Sequence, residues 1–334
     1  MFENIKTTLR ALWNPAMYHG LGKGKNYFEG WFYKCVDKNG ENIFAIIPGV
    51  SFGGIESDKH SFIQVLNGIT GQVHYFIYKF EDFSSSKKDF EIRIGANVFS
   101  REGIKLDIDK DGVAIKGELK FEGLKPWPVS FLSPGIMGWY AFVPFMQCYH
   151  GVLSMDHVIN GSLSYNNNTI DFTSGRGYTE KDWGQAFPES WIWMQSNHFD
   201  SPEVSLTASI AKIPWLGNYF TGYIAGLLYK GKLYRFTTYN GAVLEKITFQ
   251  ENVLRMNFID KDYVLEIETG HAGGGNLKAP LPKTGMKGRV NESLKSIVRI
   301  KLFKKNGELI YEGKGLNTGL EINGDIERLI KGLE

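Results

Sequence analysis

Between Gly177 and Phe199 the chain reads GYTEKDWGQAFPESWIWMQSNHF, interleaving Glu180, Asp182 and Glu189 with Trp183, Trp191 and Trp193. If the first part is extended, Tyr178, Glu180 and Asp182 share one strand face. A carboxyl set against aromatic walls has its ionised form disfavoured, which leaves a protonated acid at neutral pH, ready to donate. By chemistry Glu180 and Asp182 serve equally well. The alternative is a turn in which Glu180, Lys181 and Asp182 are solvated. From Trp191 the chain alternates: Trp191, Trp193, Gln195, Asn197 and Phe199 point one way, and Ile192, Met194, Ser196 and His198 the other. Large aromatics with two amides suit either the wall of a small-molecule cavity or an aromatic core with hydrogen-bonded amides.

A second carboxylate lies among aromatics in Tyr27–Val36 (YFEGWFYKCV), where Tyr27, Glu29, Trp31 and Tyr33 share a face. Other chemistries find less support. The seven histidines form no HxxxH or HExxH arrangement, and no cysteine pair joins them, so no metal is expected. His150 and His157 flank a strand and read as surface or cavity-wall residues. There is no GxSxG elbow. Cys35 reads as buried and inert, and Cys148 near His150 lacks a third partner. The HGLGKGK loop at His19–Lys25 lacks the GK[ST] ending of a phosphate cradle. No cofactor is implied.

These groups need elements to hold them. The 334 residues carry a formal net charge of +2 and no dense basic stripe, which argues against nucleic acid as a partner. The start of the chain lacks a signal-peptide pattern, and no apolar run reaches 18 residues. The cytoplasm is the expected location. Aromatic content of 14% with 39 glycines leans toward β structure enclosing apolar material. Short alternating runs follow one another with turn signals every 8 to 12 residues. Asp37–Gly40 and Asp111–Gly112 mark hairpins. Residues 1–13 read as a short amphipathic helix ended by Pro15, and ERLIKGL as a closing one. The stretch Lys125–Gln147, rich in Pro, Gly and apolar residues, breaks the rhythm. It reads as a lid over a pocket or a crossing between domains, with peripheral contact to a membrane surface as a further use. Glu29–Tyr33 (EGWFY) is echoed by Glu189–Trp193 (ESWIW) at an offset near half the chain. The expected architecture is therefore all-β: two tandem antiparallel β-barrels over residues 1–150 and 151–334, with few short helices.

These residues resemble the tocopherol cyclase family and, more distantly, the carotenoid hydratases. YFEGWFYK at Tyr27–Lys34 resembles the family's first aromatic strand. GYTEKDWGQAFPESWIWMQSNHF resembles its central Tyr-Ser-Glu-Lys-Asn-Trp-Gly segment, its Phe-Pro and its Trp-Phe-Trp-x-Gln-x-Asn-x-Phe run. Leu277–Pro280 and Gly319–Ile322 resemble its C-terminal landmarks. The resemblance implies lipocalin-like barrels, an apolar isoprenoid partner, and alkene protonation without a cofactor: either ring closure of a prenylated quinol or, in hydratases, addition of water. A carrier that binds without chemistry is the other reading. Glu180 would be the proton donor and Tyr178 its hydrogen-bond partner, with Asp182, standing where the family has Asn, as a modifier or rival. Trp183, Trp191 and Trp193 would shield the carbocation, and Gln195 and Asn197 would hold the quinol oxygens. Glu29 would be the second acid or a structural partner, with Trp31 and Tyr33 beside it in the substrate wall.

Overall fold

In a computed structural model the described residues are 2–144 and 146–331. They form two short helices, α1 (Phe2–Leu12) and α2 (Ile326–Lys331), and strands throughout the rest. The chain divides into two compact units, one of residues 1–187 with 277–289 and the other of residues 188–276 with 290–334.

Unit 1 is built on one antiparallel sheet. Its main strands are β1 (Tyr27–Val36), β2 (Ile43–Phe52), β3 (His60–Asn67), β4 (Val73–Lys79), β5 (Phe83–Ser85), β6 (Glu91–Ile94), β7 (Asn97–Ser100), β8 (Gly103–Lys110), β9 (Val113–Glu122), β10 (Cys148–Tyr165) and β11 (Gly175–Gly184). Their spatial order is β4-β3-β2-β1-β11-β10-β9-β8-β7-β6-β5. Both predicted hairpins form. Asp111 and Gly112 take positive φ (55° and 76°), which a two-residue turn of this hand demands. Asp37 caps its turn by accepting from the Glu41 N–H (2.8 Å) and the Asn42 amide (2.7 Å).

The outer strands alternate plainly. In β8, Ile104, Leu106 and Ile108 are buried while Lys105, Asp107 and Asp109 are exposed. One cluster takes residues from nearly every strand, Trp31, Ile46, Val65, Phe76, Ile92, Phe99, Leu106, Leu119 and Ile159 among them. A single sheet that packs one face against itself must curl around that face. The hydrogen-bonded ladder is nonetheless open, with β4 and β5 as its ends. The central strands β1 and β11 are buried along both faces, and their sequences carry aromatics and charges at both parities for that reason.

Unit 2 repeats the plan. Its main strands are β12 (Trp191–Ser196), β13 (Val204–Trp215), β14 (Asn218–Tyr229), β15 (Lys232–Thr237), β16 (Val243–Gln250), β17 (Val253–Ile259), β18 (Tyr263–Gly270), β19 (Gly285–Lys304) and β20 (Leu309–Asn323). Their order is β15-β14-β13-β12-β20-β19-β18-β17-β16. In each sheet a four-stranded meander and a later meander are joined by the last two long strands. The two halves therefore share one topology, as the echo suggested.

Two sequence expectations need revision. A boundary at 150/151 falls inside β10, and β10 and β11 complete the first sheet by pairing with β9 and β1. The chain divides at 187/188 instead. The excursion Lys125–Gln147 lies within unit 1, between β9 and β10, and is not a crossing between units. The echo also fails in one respect. Trp31 faces the core of its own unit, whereas in β12 the core-facing residues are Ile192 and Met194. Pairing is interrupted at Asn197, and Phe199 joins the Ile192 cluster rather than the Trp191 face.

Candidate active site: two charged clusters on opposite faces of three strands

Strands β1, β11 and β10 lie side by side. The register sets Glu29 opposite Trp183, Trp31 opposite Lys181, and Phe32 opposite Glu180. On the other flank Tyr149 faces Trp183, His150 faces Asp182, and Val152 faces Glu180. Because side chains alternate, the sequence-predicted residues split between two faces. Glu29, Trp31, Tyr33 and Trp183 point into the curl of unit 1. Tyr178, Glu180 and Asp182 share the opposite face, as expected, and His150 stands with them.

The inner cluster centres on Lys181 and Glu29, both fully buried and 2.5 Å apart. Lys181 Nζ also donates to the carbonyls of Pro15 (3.0 Å) and Met17 and to His19 Nδ1 (2.7 Å). Glu29 accepts from the His19 backbone N–H at both oxygens (3.0 Å each) and from the Tyr27 hydroxyl. His19 Nε2 completes the set at the Ala11 carbonyl (3.1 Å). Burial alone would raise the Glu29 carboxyl, but the Lys181 charge and His19 bring it below its ordinary value. Burial pulls Lys181 down to about 8 against the pull of Glu29, and burial with the Lys181 charge lowers His19. The ammonium lies 4.8 Å from the Trp31 ring and 4.7 Å from the Trp183 ring. Trp183 was expected to shield a substrate cation and Trp31 to line the substrate wall. The cation they face is the chain's own. Tyr33 donates to the Ser100 carbonyl (3.1 Å) and packs against Phe99 and Phe121, so it is core. Every group of this cluster is satisfied, and it pins the segment Pro15–His19 across the end of the curled sheet.

The outer cluster is a series. Tyr178 donates to Glu180 Oε2 at 2.5 Å. His150 Nε2 lies 3.7 Å from that oxygen, and His150 Nδ1 is 2.9 Å from Asp182 Oδ1. Exposure falls along the series, from 28% for the Asp182 side chain and 13% for His150 to 5% for Glu180 and 0% for Tyr178. Burial alone would lower His150, but Asp182 and then Glu180 raise it to about 9. At neutral pH the imidazole therefore carries the proton. Lys34, also fully buried, stands directly across from Tyr178 in the register. The thiol of Cys148 on this face is pushed well up by burial and by Asp182, and Cys35 to about 12 by burial, so neither is a ready nucleophile.

Sequence reasoning missed His150 as a member of this site. The signal lies in strand pairing, since His150 and Asp182 are neighbours only through the β10–β11 register. Ligand atoms of His150, Glu180 and Asp182 all lie within 4.8 Å of one another, a set no metal-binding spacing in the sequence announced. The 2.9 Å approach of Nδ1 to Asp182 is hydrogen-bond geometry, which suits a proton between them.

The remaining predicted residues belong to unit 2. Trp191 donates through Nε1 to Glu321 Oε2 (2.7 Å). Trp193 pairs with Glu321 and Gln195 with Gly319 across β12 and β20. A Cβ on Gly319 would meet the Trp193 ring at 2.8 Å, so only glycine lets that indole lie flat on β20. Trp191, Trp193 and Gln195 are buried yet lie on the face away from their unit's hydrophobic cluster, which takes Ile192 and Met194. Asn197 is buried at the break between β12 and Phe199.

A family model described as tocopherol cyclase-like matches residues 114–324, which covers β10, β11 and β12 and well over half of the chain. The chain belongs to the tocopherol cyclase-like family. Among curated relatives, the chloroplastic tocopherol cyclase of Zea mays is 28% identical over 197 residues, which span 56% of this chain and 41% of the maize protein. The protein named "Probable tocopherol cyclase, chloroplastic" in Oryza sativa subsp. japonica is 27% identical, across 94% of this chain and 79% of its own length. A crystal structure of CghA with Sch210972 superposes with a TM-score of 0.54 at 11% identity, covering 90% of this chain and 89% of that one. That last likeness is one of fold. Family membership draws weight to the Tyr178–Trp183 strand, which lies inside the matched segment.

Proposed function

We propose that the chain is an acid-catalysed cyclase, an isomerase acting on a prenylated quinol or a related isoprenoid. The observation that carries this reading is a histidine kept protonated by two carboxylates, one of which is hydrogen-bonded to a buried tyrosine. Such a series stores a proton without any cofactor. Transfer from the His150 imidazolium to the Glu180 carboxylate makes a neutral carboxylic acid. Glu180 then protonates the alkene carbon, its O–H bond breaking as the new C–H bond forms. The phenol oxygen captures the tertiary carbocation and closes the ring. Its proton returns through Glu180 to His150, so the product is an isomer of the substrate. Tyr178 fixes the Glu180 oxygen, and Asp182 holds the imidazole by Nδ1. Preorganised groups of this kind spend no reorganisation energy when charge develops.

The apolar side of the substrate accords with the exposed excursion residues Phe131, Leu132, Trp139 and Phe142, and with Leu9 of α1. Arg10 on that helix and its exposed neighbour Lys6 add positive charge. This face is the proposed contact with a lipid surface.

Incubation with a small panel of prenylquinols, followed by mass spectrometry and chromatography, tests the reading. Ring closure with unchanged mass is expected, and Glu180→Gln should lower turnover by about 10²–10⁴-fold, the usual worth of a general acid. A gain of one water would instead make the chain a hydratase. Unchanged ligand recovered from a saturable complex would make it a carrier.

A further inference from the structure

Unit 1 holds a cavity of about 380 Å³ whose lining includes none of Tyr178, Glu180, Asp182 and His150. It is lined by Trp13, Phe90, Leu124 and Leu153, by the buried Trp127 and Thr179, and by the exposed Arg101. Trp127 is 2% exposed and Thr179 3%. The Trp127 indole N–H and the Thr179 hydroxyl have no hydrogen-bond partner among the described residues. A buried polar group left unpaired costs roughly 1–3 kcal/mol, so both call for an occupant that accepts hydrogen bonds. Arg101, whose guanidinium reaches Asn14 Oδ1 only at 3.5 Å, is a cation without a close ion-pair partner among the described residues. The volume sits at the low end of the roughly 300–1,000 Å³ typical of small-molecule sites. Trp127 comes from the first turn of the excursion that breaks the sequence rhythm, and Pro126 and Pro128 beside it fix that wall.

We propose that this cavity is a second binding site, for a medium-chain apolar carboxylate. The carboxylate oxygens accept from the Trp127 indole N–H and the Thr179 hydroxyl and face the Arg101 guanidinium, and the alkyl body lies along Phe90, Leu124 and Leu153. The site is independent of the catalytic reading, because none of its polar groups belongs to the Glu180 series.

Calorimetry with decanoate and with decanol on the whole chain tests it. Decanoate should bind at one equivalent and more tightly than decanol. Arg101→Gln, a surface change that leaves the fold intact, should weaken decanoate about tenfold and leave decanol unchanged, the usual worth of a charge-assisted contact. Trp127→Phe should weaken decanoate several-fold, and Leu153→Trp, which fills the cavity, should remove binding of both probes. If either core variant fails to fold, competition with a fluorescent fatty-acid analogue on the wild type and on Arg101→Gln gives the same discrimination. No saturable decanoate binding, or binding indifferent to Arg101→Gln, overturns the proposal.

Discussion

Three strands carry two charged clusters back to back, and the clusters differ in how far their demands are met. On the inner face Glu29, Lys181 and His19 satisfy one another and the backbone of the first turns of the chain. On the outer face a protonated imidazole lies between two carboxylates, one of them hydrogen-bonded to a phenol, with exposure graded along the series. The inner arrangement spends its hydrogen bonds on holding chain to chain. The outer one keeps a titratable proton in place. Chemical type alone does not separate them, since each contains a carboxylate, a histidine and aromatic rings. What separates them is whether every donor has a fixed acceptor.

The comparison can be broken from its structural side first. Lys181→Met leaves Glu29 buried without its cation, and removing one partner of a buried pair costs about 3–5 kcal/mol. Urea unfolding should show that loss, while turnover per folded molecule stays within a few-fold of the wild type. A large fall in turnover at unchanged stability would move the chemistry to the inner face.

Next in size is the effect of His150. Its folded pKa, about 9, lies above the unfolded value near 6.5. The stabilisation is therefore complete below pH 6.5 and is lost as pH rises through 9, on the order of 3 kcal/mol in all. Lys181, held down at about 8, acts in the opposite sense at alkaline pH, so the measurement is the difference between the wild type and His150→Gln. That difference should shrink between pH 6.5 and 9, and wild-type turnover should fall over the alkaline end of the same range. A pH-independent difference would take the proton off His150.

The smallest change is Tyr178→Phe, which deletes one hydrogen bond to a carboxylate. A loss of about 1.5–3 kcal/mol, read as roughly a ten- to hundredfold drop in kcat with KM nearly constant, would place Tyr178 as a positioning residue for Glu180. A change in KM alone would make it part of the binding wall.

Much of this was legible in the sequence. Turn residues and alternation announced the strands and hairpins, and period two put Tyr178, Glu180 and Asp182 on one face. The same parity already set Trp183 apart from Glu180, although the density of aromatics invited treating them as one wall. What sequence could not supply was the lateral order of strands. Glu29 lies on the first main strand of the first sheet and Lys181 on the last, and His150 and Asp182 lie on two successive long strands, yet pairing sets Glu29 diagonal to Lys181 and His150 directly opposite Asp182. Local patterns encode which face a residue takes. They do not encode which strand lies beside it.

The pinning of Pro15–His19 by Lys181 has a consequence for biogenesis. The contact from Lys181 to the Met17 carbonyl closes a loop of 164 residues. A chain leaving the ribosome must therefore carry its first turns and the free edge of β1 unpaired until β11 has been made. Closure of so long a loop is entropically slow, and exposed strand edges invite wrong partners in the interval. The last step in completing the first sheet is thus the docking of β11 between β1 and β10, with the buried ammonium acting as the latch that the earliest-made residues wait for.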